Sequence, residues 1–429
     1  MSEPRLLKYI NEPDAPTLKF YLAHDGYKAA EKVLKTKKPD EVIDEVKKSG
    51  LRGQGGAGFP CGSKWSFVPK DNKKPKYLVI NADESEPGSF KDRLLIDRFP
   101  HQMLEGIIIA AYAIGSKTAY IYIRGENHKG ANVLQQAIDE AYEKNFFGTN
   151  IFGTSYSLDV TVHRGAGAYI CGEETALLSS LEGGRGYPKI KPPFPAVEGL
   201  FRCPTVVNNV ETLSNVPHIF LHGAEWFKSV GTENTPGTKI FGVSGHVKKP
   251  GLYELPFGTS LRDIIFQHAG GLISDKKLKA VIPGGSSSPI LKADEIDLKM
   301  DFKSLADVGS MLGTAGIVVL NEDTCMVNAL WNLLRFYAHE SCGQCTPCRE
   351  GTGWLAKLVG RIEKGGGTHS DLAMIQELSD NMVGKTICVL ADAAAMPAKS
   401  YSKKFFQEFE EHVKLQGCPF KKKGELTHA

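Results

Sequence analysis

Three cysteines follow one another at two-residue intervals in Glu340-Ser-Cys342-Gly-Gln-Cys345-Thr-Pro-Cys348-Arg-Glu-Gly351. A C-x2-C-x2-C run can wrap one turn of backbone around a corner of an iron–sulfur cube, each thiolate reaching a different iron. Gly343 and Thr346-Pro347 permit the tight curvature. A bacterial ferredoxin would place a fourth cysteine four residues on, where this chain has Thr352. The fourth ligand must therefore come from afar, and position alone leaves Cys388 and Cys418 as candidates. Four thiolates would also close a structural zinc site, but zinc sites usually pair their cysteines as two separated C-x2-C units.

Four further segments carry groups suited to binding. Gly50 to Trp65 contains G-x-G-x-x-G at Gly53, Gly55 and Gly58, with Gly56 between them and Lys64 beyond. A dinucleotide fingerprint lies between a strand and a helix; here a helix precedes the loop, and Pro60 and Gly62 argue against one after it. The order Gly62-Ser63-Lys64 also fails the nucleotidase phosphate loop. What survives is physical: backbone without Cβ atoms, free N–H groups and a cation suit an anion or a flat ring laid on the chain. Asn81, Asp83, Glu84 and Glu86 follow an apolar strand at its carboxyl end, where open α/β sheets bind ligands. Carboxylates and an amide there suit the hydroxyls of a ribose or ribityl chain. Gly165-Ala-Gly-Ala-Tyr169-Ile-Cys-Gly172 leads into a helix start, yet Glu173 and Glu174 on the first turn would repel a phosphate, so hydroxyl or amide recognition is expected, with plain helix capping as the alternative. Asn208-Asn209-Val-Glu211-Thr212 reads equally as a polar cluster or as a capped helix start.

The elements that must position these groups are legible as periodicity. Strand-like 76–80, 119–123 and 157–162 alternate with helical 40–48, 103–114 and 129–145, the pattern of an open α/β sheet. The stretch up to about residue 35 also reads as helical, with loop chemistry around Pro13 and Pro16. From residue 239 the texture changes to short strands (239–244, 251–255, 280–282, 316–320) around one helix at 260–269 that Gly270-Gly271 stops. Beyond Asp323 each periodic segment is helical: 325–339, 351–364, 370–382 and 400–415. The expected units are 1–238, 239–322 and 323–429.

Bulk properties narrow the class. In 429 residues, 52 basic groups face 49 acidic ones, which excludes a dedicated nucleic-acid binder. The one tight basic run, Lys421 to Lys423, reads as a solvated tail. The longest mostly apolar stretch, about 106–114, falls far short of the ~20 residues of a transmembrane helix. The first residues contain no apolar run of signal type. A soluble chain, without direct membrane insertion, is expected. Nine cysteines without a signal sequence point to reduced thiols and metal chemistry.

If the site takes electrons from a nicotinamide, a hydride delivers two while a cluster accepts one, so a flavin is needed between them. The strings Leu51-Arg-Gly-Gln-Gly-Gly-Ala-Gly-Phe-Pro60, Asn81-Ala-Asp-Glu-Ser-Glu-Pro-Gly88, Gly165 to Glu174 and Glu340 to Arg349 together resemble the NADH-binding flavoprotein subunit of respiratory complex I, NADH:quinone oxidoreductase. The resemblance covers nearly the whole chain. It implies a Rossmann-like FMN domain, a ubiquitin-like, soluble-ligand-binding β-grasp domain and a C-terminal four-helix bundle carrying a [4Fe-4S] cluster. By the same resemblance, Cys388 in Thr386-Ile-Cys-Val-Leu390 joins Cys342, Cys345 and Cys348 as cluster ligand. FMN would be held by Gly53, Gly55, Gly56, Lys64, Asn81, Asp83, Glu84, Tyr169, Gly172, Glu173, Asn208, Asn209 and Thr212. NADH would stack its adenine on Phe59, Phe67 and Phe194, with Glu86, Glu174 and Lys191 nearby and no catalytic acid or base required. The implied partners are a thioredoxin-like [2Fe-2S] subunit and the larger iron–sulfur subunit of the peripheral arm, on the cytoplasmic face of a bacterial membrane. NAD-reducing hydrogenases and formate dehydrogenases share the module, usually with extra redox domains that a chain of this length leaves little room for. Gln54, Cys61 and Ala391 stand where the family commonly has Arg, Thr and Gly. Cys61 would put a thiol near the flavin, and oxidative sensitivity is expected there.

Overall fold

The computed structural model describes residues 3–71 and 73–420; the Lys421 to Lys423 run lies outside them. Four parallel strands form the first sheet: β1 (Tyr77–Ala82), β2 (Thr118–Ile123), β3 (Asp159–Arg164) and β4 (Thr205–Asn209), in the order β3-β2-β1-β4. Leu78, Val79 and Ile80 are all fully buried, as a parallel strand covered on both faces requires. Tyr77 pairs with Thr118 of β2 on one side and Thr205 of β4 on the other. Strand order therefore reverses between β1 and β4, and a crevice opens at their carboxyl ends. Helix Pro100–Ile114, apolar on nearly every face and almost wholly buried, packs with Val210–His222 behind this sheet.

The second sheet is of β-grasp type. Thr238–Gly245 pairs antiparallel with Gly251–Pro256 and parallel with Gly316–Asn321, and Leu278–Ile282 and Leu291–Lys292 complete the order. Its one long helical segment starts at Leu261 and widens to π pitch over Ile264–His268. Phe241, Val243, Leu261, Ile264, Ile317 and Val319 form a core of its own.

The C-terminal part is helical: Met326–Glu340, Thr346–Glu363, His369–Met382, Leu390–Lys404 and Phe406–Leu415. Four longer helices make the expected bundle and the fifth packs against it. The expected helices differ from these in three places. The expected helix 400–415 is broken at Phe405, and the fourth bundle helix starts at Leu390, where buried Pro397 conceals it from a propensity argument. The second helix begins at Thr346 because Pro347 is well tolerated in a first turn. Elsewhere, residues 3–17 form turns and bends rather than helix, and Leu6 and Leu7 N–H groups are held by Glu254 Oε2, each at 2.8 Å. Helix Lys91–Arg98 and strand β4 were not anticipated at all.

Candidate active site and metal centre

The glycine-rich loop folds back on itself beside the β1/β4 crevice. Gly53 N–H donates to Phe59 O at 2.9 Å and Cys61 N–H to Leu51 O at 2.8 Å. Contrary to expectation, a short helix, Cys61–Ser66, does follow it. Pro60 sits at the cap, where its missing N–H is no loss, and Gly62 is what lets this helix lie against Pro39–Ser49: a Cβ there would come within 2.6 Å of Lys47 N. Gln54 N–H donates to Thr212 Oγ1 at 2.8 Å, tying the loop to the helix after β4. A Cβ on Gly55 would press on Asn209 at 3.1 Å, so the bare backbone at that position brings the loop up to the strand end.

Around this crevice the structure gathers most of the expected groups. Asn81 Nδ2 donates to Gly172 O at 2.9 Å, and its Oδ1 accepts from Asp83 N–H. Asp83 is buried, its Oδ1 has no hydrogen-bond partner, and burial pushes its carboxyl up to about 7 against the pull of Arg124. Both side-chain polar atoms of buried Gln54 are likewise without partners. Orphaned acceptors and one orphaned amide donor at a strand-end crevice fit a ligand that both donates and accepts, as the ring N–H and carbonyls of a flavin and the hydroxyls of its ribityl chain do. Asn208 Oδ1 accepts from Trp65 Nε1 at 2.8 Å, and Asn209 Nδ2 donates to Asp92 Oδ2 at 2.6 Å.

Two carboxylates of the expected set are already engaged structurally. Glu84 Oε1 accepts from Ser89 Oγ and the Lys91 and Asp92 N–H groups, and Oε2 from Arg93 N–H, capping helix Lys91–Arg98. Glu173 is the N-cap of Glu174–Leu181, accepting from Thr175 and Ala176 N–H. Losing such a cap costs about 0.5–2 kcal/mol. Glu84→Ala should therefore lower the thermal midpoint of the flavin-loaded protein by a few degrees; an unchanged midpoint with lost flavin would show that Glu84 serves the ligand instead.

Beside the crevice, Lys64 Nζ lies 2.9 Å from Glu174 Oε2 and Lys191 Nζ 2.7 Å from Glu174 Oε1. Burial raises the Glu174 carboxyl, but the two ammonium groups outweigh it and hold it at about 2. Phe59 and Phe67, 6.0 Å apart between ring centroids, are exposed, as is Phe194. Glu86 Oε2 accepts from Tyr169 Oη at 2.7 Å and Oε1 from Ser287 N–H at 2.7 Å.

Cys342, Cys345, Cys348 and Cys388 line one small cavity with Ile170 and Pro188, and Cys418 does not belong to it. The four thiols converge from the turn before Thr346–Glu363, that helix itself and the loop before Leu390–Lys404, a donor set that fits an iron–sulfur cube. Tyr169 N–H donates to Glu340 Oε2 at 2.9 Å, so the loop 165–172 reaches from the crevice to the cysteine turn.

Sequence reasoning missed a buried ionic group beneath the crevice. Lys91 Nζ lies 2.8 Å from both Asp92 Oδ1 and Glu211 Oε2, and Lys239 Nζ bonds Glu211 Oε2 as well as Gln54 O. All four side chains are nearly solvent-free. Burial alone would lower both ammonium groups; Lys91, with two carboxylates, is raised, whereas Lys239, which shares Glu211, falls to about 8. Sequence carried no signal for this, because the three segments that supply the four charges are far apart in the chain and polar in composition around Lys91 and Glu211. Cys61 is also corrected: it is buried, and burial pushes its thiol up to about 12, which opposes a reactive thiolate.

Comparison with known proteins agrees with this geometry. Residues 46–218 match the Nuo51 FMN-binding domain, 239–319 an SLBB domain, and 328–412 the NADH-ubiquinone oxidoreductase-F iron-sulfur binding region. The chain is 52% identical over 420 residues to the F 2 subunit of NADH-quinone oxidoreductase from Rhizobium meliloti (strain 1021), covering 98% of this chain and all of that protein. It is 50% identical to the NADH-quinone oxidoreductase F subunit of Streptomyces coelicolor, covering 97% of this chain and 92% of that one. The chain belongs to the F-subunit family of NADH-quinone oxidoreductases. An NAD+-reducing [NiFe]-hydrogenase crystal structure also superposes with a TM-score of 0.82 at 35% identity, over 95% of this chain and 67% of that one. In this F-subunit family member, the crevice lies within the FMN-binding match and all four converging cysteines lie within the iron–sulfur match. Among the described residues no helix is long and apolar enough to cross a membrane.

Proposed function

We propose that this chain oxidises NADH by hydride transfer to FMN in the β1/β4 crevice and passes the electrons singly to a [4Fe-4S] cluster held by Cys342, Cys345, Cys348 and Cys388, as the electron-input subunit of a respiratory NADH:quinone oxidoreductase. One observation carries the reading. The segment 169–172 touches both ends of the path: Gly172 O meets Asn81 and Tyr169 Oη meets Glu86 at the crevice, while Tyr169 N–H meets Glu340 and Ile170 lines the cysteine cavity.

Bound FMN supplies the conversion from a two-electron to a one-electron carrier. The chain supplies position. Bare backbone at Gly53, Gly55 and Gly56 admits a flat ring, and Asn81, Asp83, Asn208 and Asn209 offer amide and carboxylate partners. Phe59, Phe67 and Phe194 present exposed aromatic faces for an adenine. Lys64, Glu174 and Lys191 form a charged edge, and Tyr169 and Ser287 fix Glu86 so that it presents one orientation to the nicotinamide end. No side chain is required to move a proton, since hydride passes directly once the rings are aligned. The working division of the chain is 1–238 for FMN and NADH, 239–322 for the β-grasp unit and 323–429 for the cluster. Family membership makes this a component of a multi-subunit complex. We assign as its partners a thioredoxin-like [2Fe-2S] subunit and the larger iron–sulfur subunit of the peripheral arm, on the cytoplasmic face of the membrane.

An anaerobic visible spectrum before and after NADH tests the whole reading. A flavin band over a broad iron–sulfur shoulder should bleach promptly; a colourless protein sinks it. Glu86→Gln should raise KM for NADH more than it lowers flavin content, and the reverse pattern would move Glu86 to the flavin. Asp83 supplies a pH dependence. Donors on the flavin favour its ionised form, so binding depresses a carboxyl that burial has raised to about 7. Below that pH flavin uptake must expel a proton. Affinity of the deflavinated protein for FMN should therefore rise with pH and level off above about 7, and Asp83→Asn should flatten the profile.

A further inference from the structure

A second group of metal-ligating side chains lies outside the site described above. Cys325, Glu363, His412 and Cys418 each point one ligand atom at a common centre, all within 4.8 Å of one another. Cys325 Sγ stands 3.6 Å from Cys418 Sγ, 3.3 Å from His412 Nε2 and 3.6 Å from Glu363 Oε2, and Nε2 stands 3.4 Å from Oε2. A tetrahedral zinc, with bonds of about 2.3 Å to sulfur and about 2.0 Å to nitrogen or oxygen, holds its ligands about 3.3–3.8 Å apart. These four separations fall in that range, and Cys418 Sγ lies within 4.8 Å of the other two ligand atoms.

The surrounding groups are arranged as a ligand set needs. His412 Nδ1 lies 2.7 Å from Glu408 O, and since a carbonyl can only accept, Nδ1 carries the proton and Nε2 is left with its lone pair toward the centre. Asn328 Nδ2 donates to the outer oxygen of Glu363 at 3.0 Å, orienting the carboxylate, and Asn328 N–H donates to Cys325 Sγ at 3.3 Å, which favours a thiolate. Glu363 and His412 are fully buried as side chains.

We infer that Cys325, Glu363, His412 and Cys418 form a closed, four-coordinate structural zinc site. Two thiolates, one imidazole and one carboxylate match zinc's ligand preference, and four protein ligands leave no open position for chemistry. Its role follows from where the ligands sit. Cys325 caps Met326–Glu340, Glu363 ends Thr346–Glu363, His412 lies in the last turn of Phe406–Leu415, and Cys418 lies just beyond it. The metal would pin the final helix to the helix pair whose opposite end carries Cys342, Cys345 and Cys348. With 15 residues in Met326–Glu340 at about 1.5 Å per residue, the two centres lie at opposite ends of a helix about 22 Å long.

The test is elemental analysis of the full chain with its flavin and cluster, purified in metal-free buffer and then offered micromolar Zn2+. About one zinc per chain is expected in addition to cluster iron. Zinc K-edge absorption should show two sulfurs at about 2.3 Å and two lighter ligands at about 2.0 Å. Cys325→Ser with Cys418→Ser should lose the zinc and keep iron and flavin; if that variant does not fold, the wild-type absorption spectrum decides. Four outcomes overturn the inference: wild-type protein that takes up no zinc, a zinc shell without two sulfurs, zinc fully retained in the double variant, or a Cys325–Cys418 disulfide in place of metal. Iron in excess of the cluster's content at this site would overturn the choice of metal.

Discussion

Cys388→Ala is expected to strip the chain of cluster iron and abolish the paramagnetic signal of the reduced cluster, while leaving most of the FMN in place. Cys388 lines the same cavity as Cys342, Cys345 and Cys348, and a cube that loses one of four thiolate anchors is exposed to solvent and released. Flavin should survive because the proposed flavin partners stand on β1, β4 and the glycine-rich loop rather than on the bundle. In NADH titrations the flavin would still bleach, but the broad iron–sulfur shoulder would be missing. Cys345→Ala should behave the same way. Cys418→Ala is the discriminating control: it lies against Cys325, 3.6 Å away, outside the cluster cavity, so its iron content should equal wild type. Iron retained in Cys388→Ala, or lost in Cys418→Ala, would reverse the assignment of the fourth ligand.

The second large effect concerns Glu211. This carboxylate is fully buried between Lys91 and Lys239, and its other oxygen accepts Ile240 N–H at 2.9 Å. Removing one partner of a buried charge group costs about 3–5 kcal/mol, because the charges left behind are uncompensated. Glu211→Gln keeps the volume and leaves two ammonium groups with Asp92 and, beside Lys91, Glu84 as the remaining carboxylates. A drop of this size in unfolding free energy is expected, with weakened FMN retention, because Lys239 also holds Gln54 O and Asn209 depends on Asp92. The sign of the pH dependence follows. Lys239 already sits at about 8, and loss of Glu211 lowers it further, so the variant can relieve the unpaired charge by shedding that proton. Its deficit relative to wild type should therefore shrink as pH rises from about 6 to 9. Lys239→Met in the Glu211→Gln background should recover part of the loss. A denaturation series in which Glu211→Gln matches wild type at every pH would show that the network carries no stability.

Much of this protein is decided locally, and that part was legible. The C-x2-C-x2-C turn, the glycine-rich loop, the acidic strand end and the 165–174 loop each keep their chemistry within some ten residues, so residue type and spacing already limit the ligand. Strands β1 and β2 and the helix Pro100–Ile114 announce themselves through mostly apolar runs, and β3 through the alternation of Val160 and Val162 with polar residues. The short strand β4 escaped because Thr205 to Asn209 mixes β-branched and amide residues, and only pairing with Tyr77 to Asn81 makes it a strand. Helix Leu390–Lys404 escaped because Pro397 lies inside it.

What only the tertiary structure decided is every arrangement whose members are far apart in the chain. Spacing left Cys388 and Cys418 equivalent; helix packing puts one beside the cysteine turn and the other beside Cys325. Lys91, Asp92, Glu211 and Lys239 are, except for the adjacent first two, far apart in the chain, and only folding removes water from all four and makes their pairing obligatory. That Glu84 and Glu173 accept from the backbone N–H groups at the starts of two helices was settled only when those groups were in place. Sequence by itself determined which chemistries were available, because motif chemistry depends on neighbours along the chain. Burial and convergence depend on neighbours in space, and these determined which groups were left to perform that chemistry.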